Sequence, residues 1–177
     1  MKRLLTILIL TLSVSSAFAG PRPQGDDAIN SIRQHYGQIN RSAGLYKKVK
    51  KALSGFSAEG GELVAYFHGP SIMKMVATYF GESGKASEEF YFWNGMLIFV
   101  LRTDFRYDKP LSGKVARKTE DRFYFSNDKL IRWIDESGKE VAPERAEYAE
   151  KQKEYLESSK QLSDGARGKN PTIESNQ

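Results

Sequence analysis

Three segments of this chain read as variants of one β-hairpin, and that recurrence is what most limits the folds open to it. They are Ala65-Tyr66-Phe67-His68-Gly69-Pro70-Ser71-Ile72, Phe90-Tyr91-Phe92-Trp93-Asn94-Gly95-Met96-Leu97-Ile98 and Phe123-Tyr124-Phe125-Ser126-Asn127-Asp128-Lys129-Leu130-Ile131. The first is the most divergent. Asn94-Gly95 is a strong short hairpin signal, because a type I′ turn needs two central residues at positive φ. Asn127-Asp128 fits the same turn less well. A second echo, Glu82-Ser83-Gly84-Lys85 and Glu136-Ser137-Gly138-Lys139, places a polar turn after a strand. Together these signals predict an antiparallel meander of about six strands between Glu62 and Asp135. The longest loop between strands is expected over residues 108–119, which hold Pro110 and Gly113.

Strand residues alternate between faces. With Asn94-Gly95 as a two-residue turn, Trp93 pairs with Met96 and Phe92 with Leu97. Simple alternation then puts Phe90, Phe92, Leu97, Phe99 and Leu101 on one face, with Phe123, Phe125 and Leu130 from the third hairpin. The other face carries Tyr91, Trp93, Met96, Ile98, Val100, Tyr124, Ile131 and Trp133, and turns polar at Arg102, Asp104 and Arg106. Such a sheet is apolar on both sides and needs two covers. The N-terminal helix is expected on the first face. Contiguous exposed apolar surface is uncommon on monomers, which favours the C-terminal helix or the 108–119 loop as cover for the second. Left partly open, the second face would be an aromatic platform bordered by Arg102, Asp104 and Arg106. It would suit a partner protein, a peptide or a glycan, and homodimerisation would satisfy the same surface.

The flanks supply the helices. Asp26 and Asp27 suit a helix N-terminus, where the dipole favours negative charge. Ile29, Ile32, Tyr36, Ile39 and Ala43 then recur at helical spacing. A break is expected near Gly44, with the helix resuming through Leu45, Val49 and Leu53. On that reading the basic cluster Arg41, Lys47, Lys48, Lys50 and Lys51 is a solvated helix face. Pro143 opens a second, charged helix over Glu144–Leu162 with a thin apolar stripe at Tyr148, Ala149, Tyr155, Leu156 and Leu162. The expected division is a signal peptide over 1–19, a flexible lead-in over 20–25, one α+β domain over 26–162 and a disordered tail over 163–177.

The signal peptide is read from Lys2-Arg3, the apolar run Leu4–Val14 and the small residues of Ala17-Phe18-Ala19. The run is shorter than the roughly 20 residues a membrane helix needs, and no second run follows. Cleavage after Ala19 would remove two of the positive charges, taking the formal net charge from +5 to +3. With no cysteine, the chain has no disulfides and no lipid-anchoring cysteine. A disulfide-free exported domain of this kind fits the bacterial periplasm first and full secretion second, where nucleic acid is rarely met.

Local signatures of catalysis are sparse. Two histidines, His35 and His68, and no cysteine give no metal-binding spacing. There is no Gly-x-Ser-x-Gly elbow. Gly81-Glu82-Ser83-Gly84-Lys85 has the wrong spacing for a phosphate loop and leads into a strand, not a helix. The carboxylate pairs Glu88-Glu89, Glu120-Asp121 and Asp135-Glu136 flank strand ends, where charge keeps edges soluble. Asp104 between Arg102 and Arg106 reads as a surface ion-pair ladder, or as two arginines oriented to hold an anionic group.

The sequence assigns no catalytic residue, metal or cofactor. The order of signal peptide, helix Ile32…Tyr36-x-x-Ile39-Asn40, Glu59-Gly60-Gly61-Glu62 and Phe-Tyr-Phe-x-Asn hairpins resembles a loose group of uncharacterised exported bacterial proteins. The likeness covers residues 28–135 and implies a sheet-plus-helix fold and an envelope location. The expected function is a non-catalytic binding module using Tyr91, Trp93, Tyr124 and Trp133, rimmed by Arg102, Asp104 and Arg106. The alternatives are an envelope hydrolase using carboxylates, and an inhibitor of a secreted enzyme that inserts the 108–119 loop.

Overall fold

A computed structural model describes residues 24–175. The expected signal peptide and its cleavage point lie outside the described residues. The chain is α+β: helix α1 (Gln24–Ser42), a single 3-10 turn (Ala43–Leu45), strands β1 (Lys47–Ser54), β2 (Gly61–His68), β3 (Ser71–Gly81), β4 (Gly84–Trp93), β5 (Met96–Tyr107), β6 (Val115–Ser126) and β7 (Lys129–Ile134), helix α2 (Ala146–Arg167) and strand β8 (Thr172–Glu174). All eight strands form one sheet in the order β7-β6-β5-β4-β3-β2-β1-β8. Every pairing is antiparallel except β1 with β8.

The six strands β2–β7 are the meander that the hairpin signals predict. Asn94 and Gly95 have φ of 51° and 80°, and Asn127 and Asp128 have 50° and 57°, so both turns use two left-handed residues in succession. All three hairpins share one further feature. After the turn, Phe67 pairs with Ile72, Phe92 with Leu97 and Phe125 with Leu130. The preceding tyrosines Tyr66, Tyr91 and Tyr124 then pair with Lys74, Phe99 and Arg132. One residue is skipped each time: Met73, Ile98 and Ile131. A one-residue bulge inverts the in–out alternation of everything beyond it.

That inversion corrects the face assignment. Phe90, Phe92, Leu97, Val100, Phe123, Phe125, Leu130 and Trp133 form one core with Tyr148, Tyr155, Leu162 and Ala166 of α2. Tyr91, Ile98, Phe99 and Tyr124 form the other with Ile29, Ile32 and Ile39 of α1. Leu101, Ile131 and Trp93 border this second core. Phe99 and Leu101 therefore leave the face that simple alternation gave them, and Val100 and Trp133 cross the other way. The helices are exchanged too: α2 covers the Phe90–Phe92 face and α1 covers the Tyr91 face. The thin stripe of α2 suffices because Tyr155 sets its ring 4.5 Å from Phe123 and 6.2 Å from Phe90.

Three boundaries also differ from expectation. Residues 47–54 form strand β1, not a resumed helix. Lys51 and Leu53 are buried while Lys50, Ala52 and Ser54 are exposed, the period of two that a strand gives. Lys tolerates either state, and pairing with β2 decides between them. The long loop shrinks to residues 108–114, because β6 starts at Val115. In the stretch expected to be a loose tail, α2 runs on to Arg167 and β8 adds a parallel strand beside β1. No helix among the described residues is long and apolar enough to cross a membrane.

Candidate functional site

Helix α1 crosses the sheet close to the hairpin tips. Its path is marked by the Asp26–Arg132 ion pair to β7, the His35–Trp93 stack on β4, and Asn40 against Lys74 of β3. Just after it, Tyr46 lies 6.0 Å from His68 of β2. Two cross-strand rows follow on the same sheet face: Val64, Val76, Glu89, Leu101 and Arg122, then Glu62, Thr78, Ser87, Thr103 and Glu120.

The expected site residues do not share a surface. Tyr91 is fully buried under α1. Its hydroxyl donates to Glu89 Oε2 (2.5 Å), accepts from Lys74 Nζ (2.8 Å) and lies 3.1 Å from Asn40 Oδ1. Lys74 in turn pairs with Glu89 at 2.6 Å. This network ties the second half of α1 to β3 and β4. Tyr124 is also buried, 4.9 Å from Phe99 ring to ring. Trp93 is half-buried and stacks on His35 at 3.8 Å. Trp133 is buried on the opposite side, and its indole N–H donates to Asp121 Oδ1 at 2.9 Å. Tyr91, Tyr124 and Trp133 are thus core, Trp93 is half-buried, and the four form no shared platform.

Arg102, Asp104 and Arg106 share a strand face as expected, but the bulge at Ile98 turns that face toward α2. Arg102 makes two bonds to Asp104 (2.8 and 2.9 Å) and one to Glu88 Oε1 (2.9 Å). Tyr79 donates to Glu88 Oε2 at 3.2 Å. Arg106 is exposed and stands outside this cluster. The Glu88 side chain is only 6 % exposed. Burial pushes its carboxyl upward despite the Arg102 charge, and burial likewise raises Asp121 and the Tyr79 and Tyr155 hydroxyls. The Tyr155 hydroxyl is buried without a hydrogen-bond partner among the described residues. Glu88, a buried carboxylate whose protonated form burial favours, is therefore sealed beneath α2.

A different place offers an open site. Between α1 and strands β5 and β6 lies a slot of about 270 Å³, lined by Ile32, Arg33 and Tyr36 from the helix and by Phe99, Leu101, Glu120, Arg122 and Tyr124 from the strands. Its floor is apolar: Ile32, Phe99 and Tyr124 are buried, and Leu101 is half-buried. Its rim is charged. Arg122 donates to Glu120 at 2.6 Å, which Lys118 also reaches at 2.6 Å. These two cations hold the Glu120 carboxyl below the usual carboxylate range. Arg33 is exposed and takes part in no ion pair among the described residues. A concave apolar floor with few convergent polar groups is the usual form of a ligand site.

No family model, curated protein or solved structure matches the chain. The slot thus stands on its own geometry.

Of its residues, the sequence reading singled out Tyr124 as a site residue and Ile32 and Tyr36 as helix stripe. Arg33, Phe99, Leu101, Glu120 and Arg122 were not expected there. The second and third residues of each returning hairpin strand are large and apolar: Ile72-Met73, Leu97-Ile98 and Leu130-Ile131. In each doublet the second residue is the one skipped, and the bulge at Ile98 is what moves Phe99 and Leu101 under α1.

Proposed function

We propose that the protein is a non-catalytic binding module of the bacterial envelope, periplasmic in the first instance, whose ligand places an apolar body and an anionic group in the slot between α1 and strands β5 and β6. The observation that carries this reading is that the lining of the slot joins an apolar floor to Arg33 and Arg122. A buried apolar contact supplies the attraction, and a planar guanidinium recognises a carboxylate or sulfate. A peptide with an aromatic or aliphatic side chain next to a carboxylate has both features, which a bare neutral glycan lacks. The hydrolase reading draws less support, because an acid–base pair must reach its substrate and Glu88 is enclosed by Tyr79 and Arg102 under α2.

The test uses 1-anilinonaphthalene-8-sulfonate, an apolar anion, as the probe. Its fluorescence should rise on titration into the folded full chain. Leu101→Arg, which fills the slot, and Arg33→Glu, which reverses its rim, should each weaken binding about tenfold, about 1.4 kcal/mol. Unchanged affinity in both variants, with unfolding transitions intact, refutes the assignment.

A further inference from the structure

The sheet ends on one side in a strand that only partly meets a neighbour. Strand β8 pairs with β1 at three positions, Ala52–Thr172, Leu53–Ile173 and Ser54–Glu174. Ala52 donates its N–H to Pro171 O (2.9 Å), and Ser54 O accepts from Ser175 N–H (3.0 Å). Strand alternation sends the N–H and C=O of Lys48 and Lys50 toward the same outer edge. No strand lies beside them among the described residues. Unpaired edge groups of this kind are a template for another strand.

The paired end is built to receive a side chain. Ile173 packs against the bare backbone of Gly165 in α2, so closely that a Cβ at Gly165 would lie 2.5 Å from Ile173 Cδ1. Lys51 is buried and donates from Nζ to Gly168 O (2.7 Å) and to Asn170 O, pinning the turn that leads into β8. Gln161 Nε2 donates to Glu174 O at 2.9 Å. The unpaired end is strongly basic. Lys47, Lys48 and Lys50 are exposed, and none forms an ion pair among the described residues. This charge has two effects. It repels a second copy of the same edge, and it attracts a strand of opposite sign.

We propose that the outer edge of β1 is a strand-acceptor site for an extended acidic segment of a partner protein, running parallel to β1 with a branched aliphatic residue in the Gly165 hollow, and that β8 is its displaceable occupant in cis. A partner strand that continues straight along β1 gains the edge groups of Lys48 and Lys50, which β8 does not reach. It also gains the three exposed lysines. Main-chain hydrogen bonds supply affinity in such strand addition, and side-chain pockets supply specificity.

The probe is a labelled peptide, Val-Glu-Val-Glu-Val-Thr-Ile-Glu-Ser, whose second and fourth residues fall opposite Lys48 and Lys50 when its Ile takes the place of Ile173, titrated against the full chain by fluorescence anisotropy at low salt. Binding is expected, with new amide-exchange protection at Lys48 and Lys50. Lys48→Glu combined with Lys50→Glu should weaken it at least tenfold, and replacing the peptide's Ile by Asp should abolish it. Ile173→Asp in the protein, which releases β8, should tighten it at least tenfold. The lysine variants and the peptide variant test the site even if Ile173→Asp does not fold. Absence of binding, equal binding by the lysine variants, protection away from β1, or a dimer joined through β1 in place of peptide capture would each overturn the proposal.

Discussion

Replacing Tyr155 by Phe should make this protein more stable. The ring of Tyr155 is fully buried between Phe90 and Phe123, and Lys151 Nζ lies 5.7 Å from its centroid. The hydroxyl, in contrast, has no hydrogen-bond partner among the described residues. A buried polar group left unpaired costs about 1–3 kcal/mol relative to its hydrated state. Phe keeps the ring contacts and removes that cost, so Tyr155→Phe should gain about 1–2 kcal/mol. For a domain of this size that raises Tm by roughly 2–8 °C. Urea denaturation followed by circular dichroism measures it, with an unchanged m-value as the sign that only stability has moved. Tyr148→Phe is the control, because the Tyr148 hydroxyl does have an acceptor, Leu130 O, at 3.4 Å. That change should be neutral or mildly destabilising. A loss of 1 kcal/mol or more in Tyr155→Phe would mean that the hydroxyl has a partner and is not an unpaired buried group.

Two further outcomes follow from the same packing. Glu88 is raised chiefly by burial, so the folded state holds its proton more tightly than the unfolded chain does. Its contribution to stability is present in full below the unfolded carboxylate value of about 4.3 and is lost as pH rises through the raised folded value; Glu88→Gln should flatten that slope in a stability–pH profile, and an unaltered slope counts against it. Trp133→Ala removes a buried ring and the Asp121 bond and should cost about 3–5 kcal/mol, whereas Trp93→Ala, losing a half-buried stack on His35, should cost about 1 kcal/mol; equal losses in urea titrations would contradict the two environments.

Much of this architecture is written locally. Asn94-Gly95 and Asn127-Asp128 mark their turns because few residues accept positive φ twice in succession. The spacing Ile29, Ile32, Tyr36, Ile39 announces α1 because a helix brings residues three and four apart onto one stripe. The alternation along β4 and β6 shows that both sheet faces must be covered. These features depend on neighbours in sequence, so sequence suffices to read them.

The tertiary structure decided what those faces mean. Each skipped residue, Met73, Ile98 and Ile131, moves the rest of its strand to the opposite side. Whether a residue is skipped depends on pairing with a strand across the hairpin, not on local preference. The slip at Ile131 carried Trp133 under α2, and the slip at Ile98 carried Arg102 there and brought Phe99 and Leu101 under α1 to line the slot. The choice of cover was likewise nonlocal: α1 and α2 could each satisfy either face until the strand register set the shapes to be filled. Lys47–Ser54 became a strand because β2 offered it an edge, and with that edge came the place where β8 lies. The chain's local chemistry determined the pieces and their polarity, and long-range register determined which of them could form a site.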